Sequence, residues 1–223
     1  MRTYTTRAVR RGAREVDIDM VAHDVLGPAS AWIAEARVGD EVCSSSDRPR
    51  RTAVVSYGID FVPPAATDAI LLAGDETAAP AIAVILEQLP PEARGTVVLE
   101  VPTAADLGYL PSHPGFEIRA AARAGESERH AHLIAAVEET AARLAPGGVG
   151  ADVEEIDVDT DILWEVPRTA KGGAALKRAP LYAWLAGEAG RDQGLATPPR
   201  RHGRVDRRAV AFMGYWRLGR SEN

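Results

Sequence analysis

Residues 69–89 read Ala-Ile-Leu-Leu-Ala-Gly-Asp-Glu-Thr-Ala-Ala-Pro-Ala-Ile-Ala-Val-Ile-Leu-Glu-Gln-Leu and combine an apolar run, a polar turn and an amphipathic run. The first run, residues 70–73, is too short and too uniformly apolar for a helix and predicts a buried strand. The second run has apolar residues at helical spacing, namely Ala78, Ile82, Ile85 and Leu89. The stretch therefore predicts a strand, a tight turn and a helix.

The turn between them has residues suited to a sharp connection. Gly74 tolerates unusual backbone angles, Thr77 can cap the first amides of the helix, and Pro80 falls in the first helical turn. At the end of a parallel strand, such a turn presents free N–H groups where phosphates bind. An ordinary strand-to-helix connection without nucleotide explains the turn equally well, because one Gly-rich turn is a weak fingerprint.

The composition limits the classes of partner. The 26 basic and 32 acidic residues give a net charge of −6, which disfavours nucleic acid and anionic membrane surfaces. A single cysteine, Cys43, excludes an intrachain disulfide and a cysteine cluster, so a reducing cytoplasm fits best. No apolar run approaches the roughly 20 residues that span a bilayer, and we expect no membrane insertion.

The N-terminal part predicts strands with a short helix. Val16, Ile18 and Met20 alternate with acidic residues, which is typical of a strand with one buried face. A helix is predicted over 28–36, with Trp32 in its core face, and a further short strand over 41–43. The pair of prolines at 63–64 ends this part, so we place the domains at 1–64 and 65–223.

Beyond residue 64, strands and helices alternate. Strands are predicted at 95–101, 116–122, 181–186 and 209–213, and a helix at 127–144. Strands separated by helices imply a parallel sheet that is covered on both faces. The predicted fold class is therefore α/β plus β.

Five short motifs occur in order along the chain, at residues 2–7 (RTYTTR), 23–32 (HDVLGPASAW), 72–81 (LAGDETAAPA), 182–188 (YAWLAGE) and 214–217 (GYWR). Together they resemble the siderophore-interacting protein family of flavin-dependent ferric-siderophore reductases. The resemblance implies an FAD-binding β-barrel followed by a parallel-sheet NAD(P)-binding α/β domain. Family members have several barrel strands ahead of the first motif, which here begins at residue 2. We therefore expect an incomplete barrel, either truncated or with its true start upstream of Met1.

The resemblance implies that Tyr4 stacks on the flavin, Thr5 bonds near its N5 edge and Arg2 meets the diphosphate. His23 could contact the flavin or adenine, or could be structural. The start of the predicted helix at 27–30 can bind the FAD pyrophosphate, although helix capping explains the same residues. The predicted FAD contacts are Arg2, Tyr4, Thr5, Arg7, His23, Gly27, Pro28, Ala29 and Ser30.

A second set of residues is predicted to contact NADPH or NADH, with Gly74 and Thr77 near the pyrophosphate. Asp75 and Glu76 would repel phosphate unless they turn away or bind ribose hydroxyls. The strand end at 187–188 would complete the pocket where the nicotinamide meets the flavin. The predicted nicotinamide nucleotide contacts are Gly74, Asp75, Glu76, Thr77, Pro80, Gly187 and Glu188. The resemblance implies that Trp216 is an aromatic wall beside the flavin ring, or alternatively a cover for the core.

The function implied by the resemblance is NAD(P)H-dependent reduction of a ferric siderophore or other ferric chelate by way of FAD, with release of Fe(II). Neither a catalytic side chain nor a metal site is predicted, because the flavin supplies the electron chemistry. We expect a monomer. Arginines that could attract an anionic chelate, or serve only solubility, are Arg2, Arg7, Arg10, Arg11, Arg14, Arg200, Arg201, Arg204, Arg207 and Arg208. The alternative is a flavin-deficient, non-catalytic remnant of the family.

Residues 190–203 depart most from the family pattern. The family has an amphipathic helix here, whereas Gly194, Pro198, Pro199 and Gly203 interrupt any helix. We predict either compensating frameshifts in this segment or a true surface loop.

Overall fold

The computed structural model describes residues 4–22, 28–43, 60–123, 129–146, 164–169, 172–188 and 205–216. Two compact units divide the chain between residues 56 and 57. The described residues up to 43 belong to the N-terminal unit, and those from 60 to 216 belong to the C-terminal unit. Residues 152–161 and the segment 190–203, for which a loop or a frameshift was predicted, lie outside the described parts.

The N-terminal unit contains a hairpin and a short helix. Strands β1 (Thr6–Arg10) and β2 (Glu15–Ile18) pair antiparallel, and Arg10 lies opposite Glu15 across the connecting turn. Helix α1 spans Pro28–Glu35, close to the predicted 28–36, and begins at the predicted proline. The proline starts the helix because its fixed φ suits the first helical position.

Burial in the N-terminal unit differs from the prediction. None of its described residues is buried, and Val16 and Ile18, predicted to face a core, are 54% and 37% exposed. Trp32 is also 37% exposed, and the predicted strand at 41–43 is absent. Alternation alone buries a strand face only where a second layer covers it, and two paired strands do not supply that layer.

The C-terminal unit is built on a six-stranded sheet with the order β5-β4-β3-β7-β8-β6. Neighbouring strands are parallel except for β6, which runs antiparallel to β8 at one edge. The strands are β3 (Ala66–Gly74), β4 (Gly95–Val101), β5 (Phe116–Ala122), β6 (Trp164–Glu165), β7 (Arg178–Glu188) and β8 (Val210–Trp216).

Helices cover both faces of this sheet. Helix α2 (Ala79–Gln88) packs with Leu72 and other alternate strand residues on one face. Helix α3 (Ala131–Leu144) packs with Leu71 and the remaining alternate residues on the other face. Because successive strand side chains point to opposite faces, a strand buried between two helical layers must be apolar throughout. This explains the continuous apolar run 70–73.

The strand order creates a switch point. The chain passes from β3 outward to β4 and β5, and then returns to β7 on the opposite side of β3. In open α/β sheets, ligands bind in the crevice outside the carboxyl ends of the strands at such a point. A ligand site is therefore expected at the carboxyl ends of β3 and β7.

The predicted α/β plus β fold class is confirmed. Strands 95–101 and 116–122 have the predicted ends. The two later strands are longer than predicted, and α3 begins at Ala131 rather than residue 127. The edge strand β6 was not predicted, because two residues are too few to generate a periodic signal.

Candidate functional site

Charged and aromatic side chains gather at the carboxyl edge of the C-terminal sheet. Each of the five parallel strands contributes at its end: Asp75 and Glu76 after β3, Glu100 in β4, Arg123 after β5, Glu188 in β7 and Trp216 in β8. Arg129 and His130 join them from the start of α3. We call these eight residues the edge network.

Asp75 is the centre of the edge network and is fully buried. Its Oδ1 accepts hydrogen bonds from the Thr77 amide (2.9 Å) and hydroxyl. Its Oδ2 accepts from the Glu188 amide (3.1 Å) and from Trp216 Nε1 (3.0 Å). Burial raises the pKa of the Asp75 carboxyl, the charge of Glu76 raises it further, and the bonds from Thr77 and Trp216 oppose the rise.

Glu76 and Arg123 form a buried, bidentate ion pair with N···O distances of 2.6 and 2.7 Å. Arg129 adds a second cation, whose Nη1 lies 3.8 Å from Glu76 Oε1. Burial disfavours the charged carboxylate, but the bond from Arg123 and the two cations hold the pKa of Glu76 below its usual value.

His130 connects the ends of β4 and β7. Its backbone N–H donates to Glu100 Oε1 (2.9 Å), and its ring Nε2 lies 2.9 Å from Glu188 Oε2. The left-handed φ of 65° at His130 lets the amide and the ring reach different strands. Two buried atoms here, Glu100 Oε2 and His130 Nδ1, have no hydrogen-bond partner in the described part of the chain.

Two glycines permit close packing at the same edge. A Cβ on Gly74 would lie 2.3 Å from the Ala186 carbonyl oxygen and 2.4 Å from the Ala78 Cβ. Gly74 is therefore required by a close approach, and not by the unusual backbone angle that the sequence suggested, since its φ is not positive. Gly187 has a φ of 149°, and its Cβ would lie 2.7 Å from Asp75 Oδ2.

The turn before α2 differs from the predicted capping arrangement. Ala78 occupies the N-cap position without a side-chain bond, and Thr77 donates its hydroxyl to Asp75 instead. The amides of Thr77, Ala78 and Ala79 all donate to acceptors at residues 75 and 76. Pro80 lies in the first turn as predicted. With these amides engaged and two carboxylates beside them, the turn does not fit a pyrophosphate.

The remaining residues of the edge suit other parts of a nucleotide. The Arg129 guanidinium lies 5.0 Å from the centroid of the half-buried Trp216 ring. A flat aromatic ring and hydrogen-bonding groups suit a nicotinamide ring and ribose hydroxyls. Contacts of Gly74, Asp75, Glu76, Thr77, Pro80, Gly187, Glu188 and Trp216 with a nucleotide stay a prediction.

Sequence reasoning missed Glu100, Arg123, Arg129 and His130. Glu100 is the charged residue near the end of a largely apolar strand, and Arg123 directly follows the next strand. Because the ends of parallel strands meet at one edge, these positions carried a usable signal. Arg129 and His130 fall within the helix predicted over 127–144, and nothing in their sequence spacing indicated that they reach the strand ends.

The predicted FAD contacts fall only partly within the described residues; Arg2, His23 and Gly27 lie outside them. Tyr4 is exposed, whereas Thr5 and Arg7 are half-buried, and Arg7 Nε lies 3.6 Å from Asp19 Oδ2. Pro28, Ala29 and Ser30 begin α1. An aromatic ring, hydroxyls and a cation suit a flavin in chemical type, but the described residues of this unit enclose no buried surface.

Several arginines with a predicted role toward an anionic chelate are paired with acids. Arg10 binds Glu15 and Asp17, Arg207 binds Glu165, and Arg208 binds Asp206. Within the described ranges, no helix is long and apolar enough to cross a bilayer.

Comparisons with known proteins match this two-part organisation. The sequence profile described as siderophore-interacting protein matches residues 67–219, and the profile of the siderophore-interacting FAD-binding domain matches residues 1–46. An uncharacterized protein of Mycobacterium tuberculosis is 31% identical over 230 residues, which cover 100% of this chain and 66% of that protein. The chain thus spans slightly less than two thirds of that relative.

Two further relatives have more informative names. The ferric vibriobactin reductase ViuB of Vibrio cholerae is 36% identical over 114 residues, covering 51% of this chain and 38% of that protein. The crystal structure of the siderophore-interacting protein SipS from Aeromonas hydrophila superposes with a TM-score of 0.65 and 28% identity, covering 99% of this chain and 69% of that one. Because the first profile spans most of the C-terminal unit and more than half of the chain, the chain belongs to the siderophore-interacting protein family.

Proposed function

We propose that this protein is an NAD(P)H-dependent, FAD-using reductase of ferric siderophores, which releases iron as Fe(II). The main support is the edge network, which places an aromatic ring, buried acids and cations at the switch point of a sheet that matches the family profile. The name of the Vibrio cholerae relative, a ferric vibriobactin reductase, supports the substrate class. The protein is proposed to act as a cytoplasmic monomer.

The C-terminal unit would bind NADPH or NADH at the edge network. The Trp216 ring offers a face for the nicotinamide. Glu100 Oε2 and His130 Nδ1, which lack a hydrogen-bond partner among the described residues, offer hydrogen bonds if the edge opens. The pyrophosphate would lie away from the β3–α2 turn, because the Thr77 amide is already bonded to Asp75. Gly74 then serves strand packing rather than phosphate binding.

The N-terminal unit would bind FAD through residues 2–7 and the start of α1. Tyr4 supplies an aromatic surface, Thr5 and Ser30 supply hydroxyls, and Arg7 supplies a cation. When bound, FAD would supply the redox chemistry, since a flavin can accept a hydride from a nicotinamide and can donate electrons singly. The residues of the chain would orient the cofactor, and no side chain is required as a nucleophile.

The test is reconstitution of the purified chain with FAD under anaerobic conditions. Flavin absorbance should remain after desalting, NADH or NADPH should bleach it, and a ferric siderophore should restore it while an Fe(II)-specific chelator develops colour. Tyr4→Ala should weaken FAD binding by about 1–3 kcal/mol through the loss of a stacking ring, and Val9→Ala, at an exposed residue of the hairpin, should not. Retained flavin without bleaching by either nucleotide would contradict the proposal.

A second candidate is a non-catalytic chain that does not retain flavin. It is favoured by one observation, the lack of any buried residue among the described residues of the N-terminal unit. A colourless protein that takes up no added FAD, yet has a cooperatively folded C-terminal unit, would support this candidate over the reductase.

A further inference from the structure

We propose that Asp75 is a positioning residue, which holds the Trp216 ring at the switch point through the indole N–H and so sets the affinity of this edge for the nicotinamide nucleotide. This inference rests on the proposed function, because it concerns the same site. It assigns to Asp75 a role other than direct contact with the nucleotide.

The hydrogen bonds of Asp75 join three strand ends. Asp75 lies directly after β3, and its Oδ2 accepts from the Glu188 amide at the end of β7 (3.1 Å) and from Trp216 Nε1 at the end of β8 (3.0 Å). These partners are separated from Asp75 by 113 and 141 residues in sequence. One buried carboxyl group therefore determines where the last residue of β8 lies relative to the switch point.

A second contact restrains the same ring. The Arg129 guanidinium lies 5.0 Å from the Trp216 ring centroid, within the range of a cation–π interaction. Arg129 is itself held near Glu76 Oε1 at 3.8 Å, and Glu76 is clamped by Arg123. Asp75 thus accepts the hydrogen bond of the Trp216 indole N–H, while Arg129, which Glu76 holds in place, contacts the face of the ring.

The chemistry of this position requires a carboxyl group rather than an amide. Two donors point at each oxygen of Asp75, the amide and hydroxyl of Thr77 at Oδ1 and the groups of Glu188 and Trp216 at Oδ2. An asparagine has one accepting oxygen and an NH₂ group, so it must give up one of the two pairs. Gly187 leaves room for the carboxyl group, since its Cβ would lie 2.7 Å from Oδ2.

The chain offers an internal control. Trp184 lies in β7 of the same sheet, and its buried Nε1 has no hydrogen-bond partner among the described residues. The full chain labelled with ¹⁵N should give one indole N–H signal for each of its four tryptophans. Trp216→Phe and Trp184→Phe assign two of these signals by their loss. In Asp75→Ala, which removes both acceptor oxygens, the Trp216 signal should shift and the Trp184 signal should not.

Nucleotide binding gives the second measurement. Calorimetry with NADH and NADPH should show that Asp75→Ala and Trp216→Phe each weaken binding about tenfold, as the loss of one oriented contact predicts. The double variant should bind no more weakly than either single variant, because both changes remove the same link. Trp184→Phe should leave the dissociation constant unchanged.

An unshifted Trp216 signal in Asp75→Ala, which removes both acceptor oxygens, overturns the positioning role. Wild-type nucleotide affinity in Trp216→Phe, which keeps an aromatic ring but loses the N–H and the bicyclic outline, overturns it as well. The Trp216→Phe measurement decides even if Asp75→Ala does not fold. A wild-type chain that binds neither nucleotide removes the proposed function, and the indole signal then decides alone whether Asp75 holds Trp216.

Discussion

The two units of this chain use similar sequence patterns with different results. In the N-terminal unit, Val16 and Ile18 alternate with acids and remain exposed on a two-stranded sheet. In the C-terminal unit, Leu71 and Leu72 lie on opposite faces of β3, and both are buried, because α3 covers one face and α2 covers the other. Burial therefore follows the number of layers rather than the local pattern.

The units also differ in how they hold charges. The ion pairs of Arg10 lie on the surface of the hairpin, where water screens them. The pair between Glu76 and Arg123 is buried at the end of the sheet, with side chains 9% and 4% exposed. Removing one partner of a buried pair leaves an uncompensated charge, so the same substitution should have very different effects in the two units.

The largest effect is expected from Arg123→Ala, which should lower the free energy of unfolding by about 3–5 kcal/mol because the buried Glu76 loses its bidentate partner, and Arg129, 3.8 Å away, does not replace those two hydrogen bonds. Urea denaturation followed by circular dichroism measures this change. Arg10→Ala, its counterpart on the hairpin, should leave the urea midpoint unchanged within error. Equal losses in the two variants would contradict the contrast between the units.

The next effect concerns apolar packing. Leu72→Ala should lower the free energy of unfolding by about 2–5 kcal/mol, because a fully buried side chain between β3 and α2 is replaced by a cavity. Val16→Ala, on the exposed hairpin face, should change stability by less than about 0.5 kcal/mol. Thermal unfolding of both variants provides the measurement. A large loss in Val16→Ala would indicate that the hairpin face is covered in solution.

A smaller effect is expected at glycines. Gly187→Ala should destabilise by about 1–3 kcal/mol, because its φ of 149° is unfavourable for alanine and the new Cβ would meet Asp75 Oδ2. Gly12→Ala, in the hairpin turn, has open space around its Cβ and no positive φ. Because alanine restricts the unfolded chain more than glycine does, Gly12→Ala should leave the free energy of unfolding unchanged or raise it by about 0.4–1 kcal/mol. Denaturant titration of the pair tests this, and a neutral Gly187→Ala would contradict it.

The smallest effect is a difference in pH dependence. The pKa of Asp75 is raised above its usual 3.8 in the folded chain, so the folded state binds more protons than the unfolded state above that pH. This part of the stability is present below pH 3.8 and is lost as the pH rises through the folded pKa. Unfolding free energies measured across this window should fall with rising pH more steeply in the wild type than in Asp75→Asn.

Glu76 provides the opposite sign as a control. Its folded pKa lies below the usual 4.5, so its contribution is present above that value and is lost as the pH falls through the folded pKa. In Glu76→Gln, the free energy of unfolding should therefore fall less steeply as the pH drops below 4.5. Parallel curves for the wild type and both variants would show that neither carboxyl group titrates differently in the folded chain.

Much of the C-terminal fold could be predicted because the signals there are local. Strands 95–101 and 116–122 were predicted with their observed ends, since apolar runs bounded by turn residues need no distant information. The α2 helix was evident from Ile82, Ile85 and Leu89, which recur at helical spacing. Trp216 was predicted as a site residue through the resemblance of the motif at 214–217 to the family, which did not indicate its partner Asp75.

The contacts of the candidate site could not be predicted in the same way. Thr77 was expected to cap a helix, but in the folded chain its hydroxyl is bound to Asp75. The ring of His130 reaches Glu188, 58 residues away, and its amide reaches Glu100, 30 residues away. Such pairs depend on which strands become neighbours, and a single sequence does not state the strand order.

The sequence by itself determined the alternation of strands and helices and the acidic net charge, because both follow from residue type and spacing, and it determined the family through motifs that resemble known members. Only the tertiary structure decided that Asp75 and Glu76 turn inward, that Gly74 and Gly187 serve close packing, and that the hairpin face of Val16 stays exposed. The physical reason is that desolvation and hydrogen-bond pairing depend on neighbours in space. These neighbours exist only once five parallel strands end at one edge of the sheet.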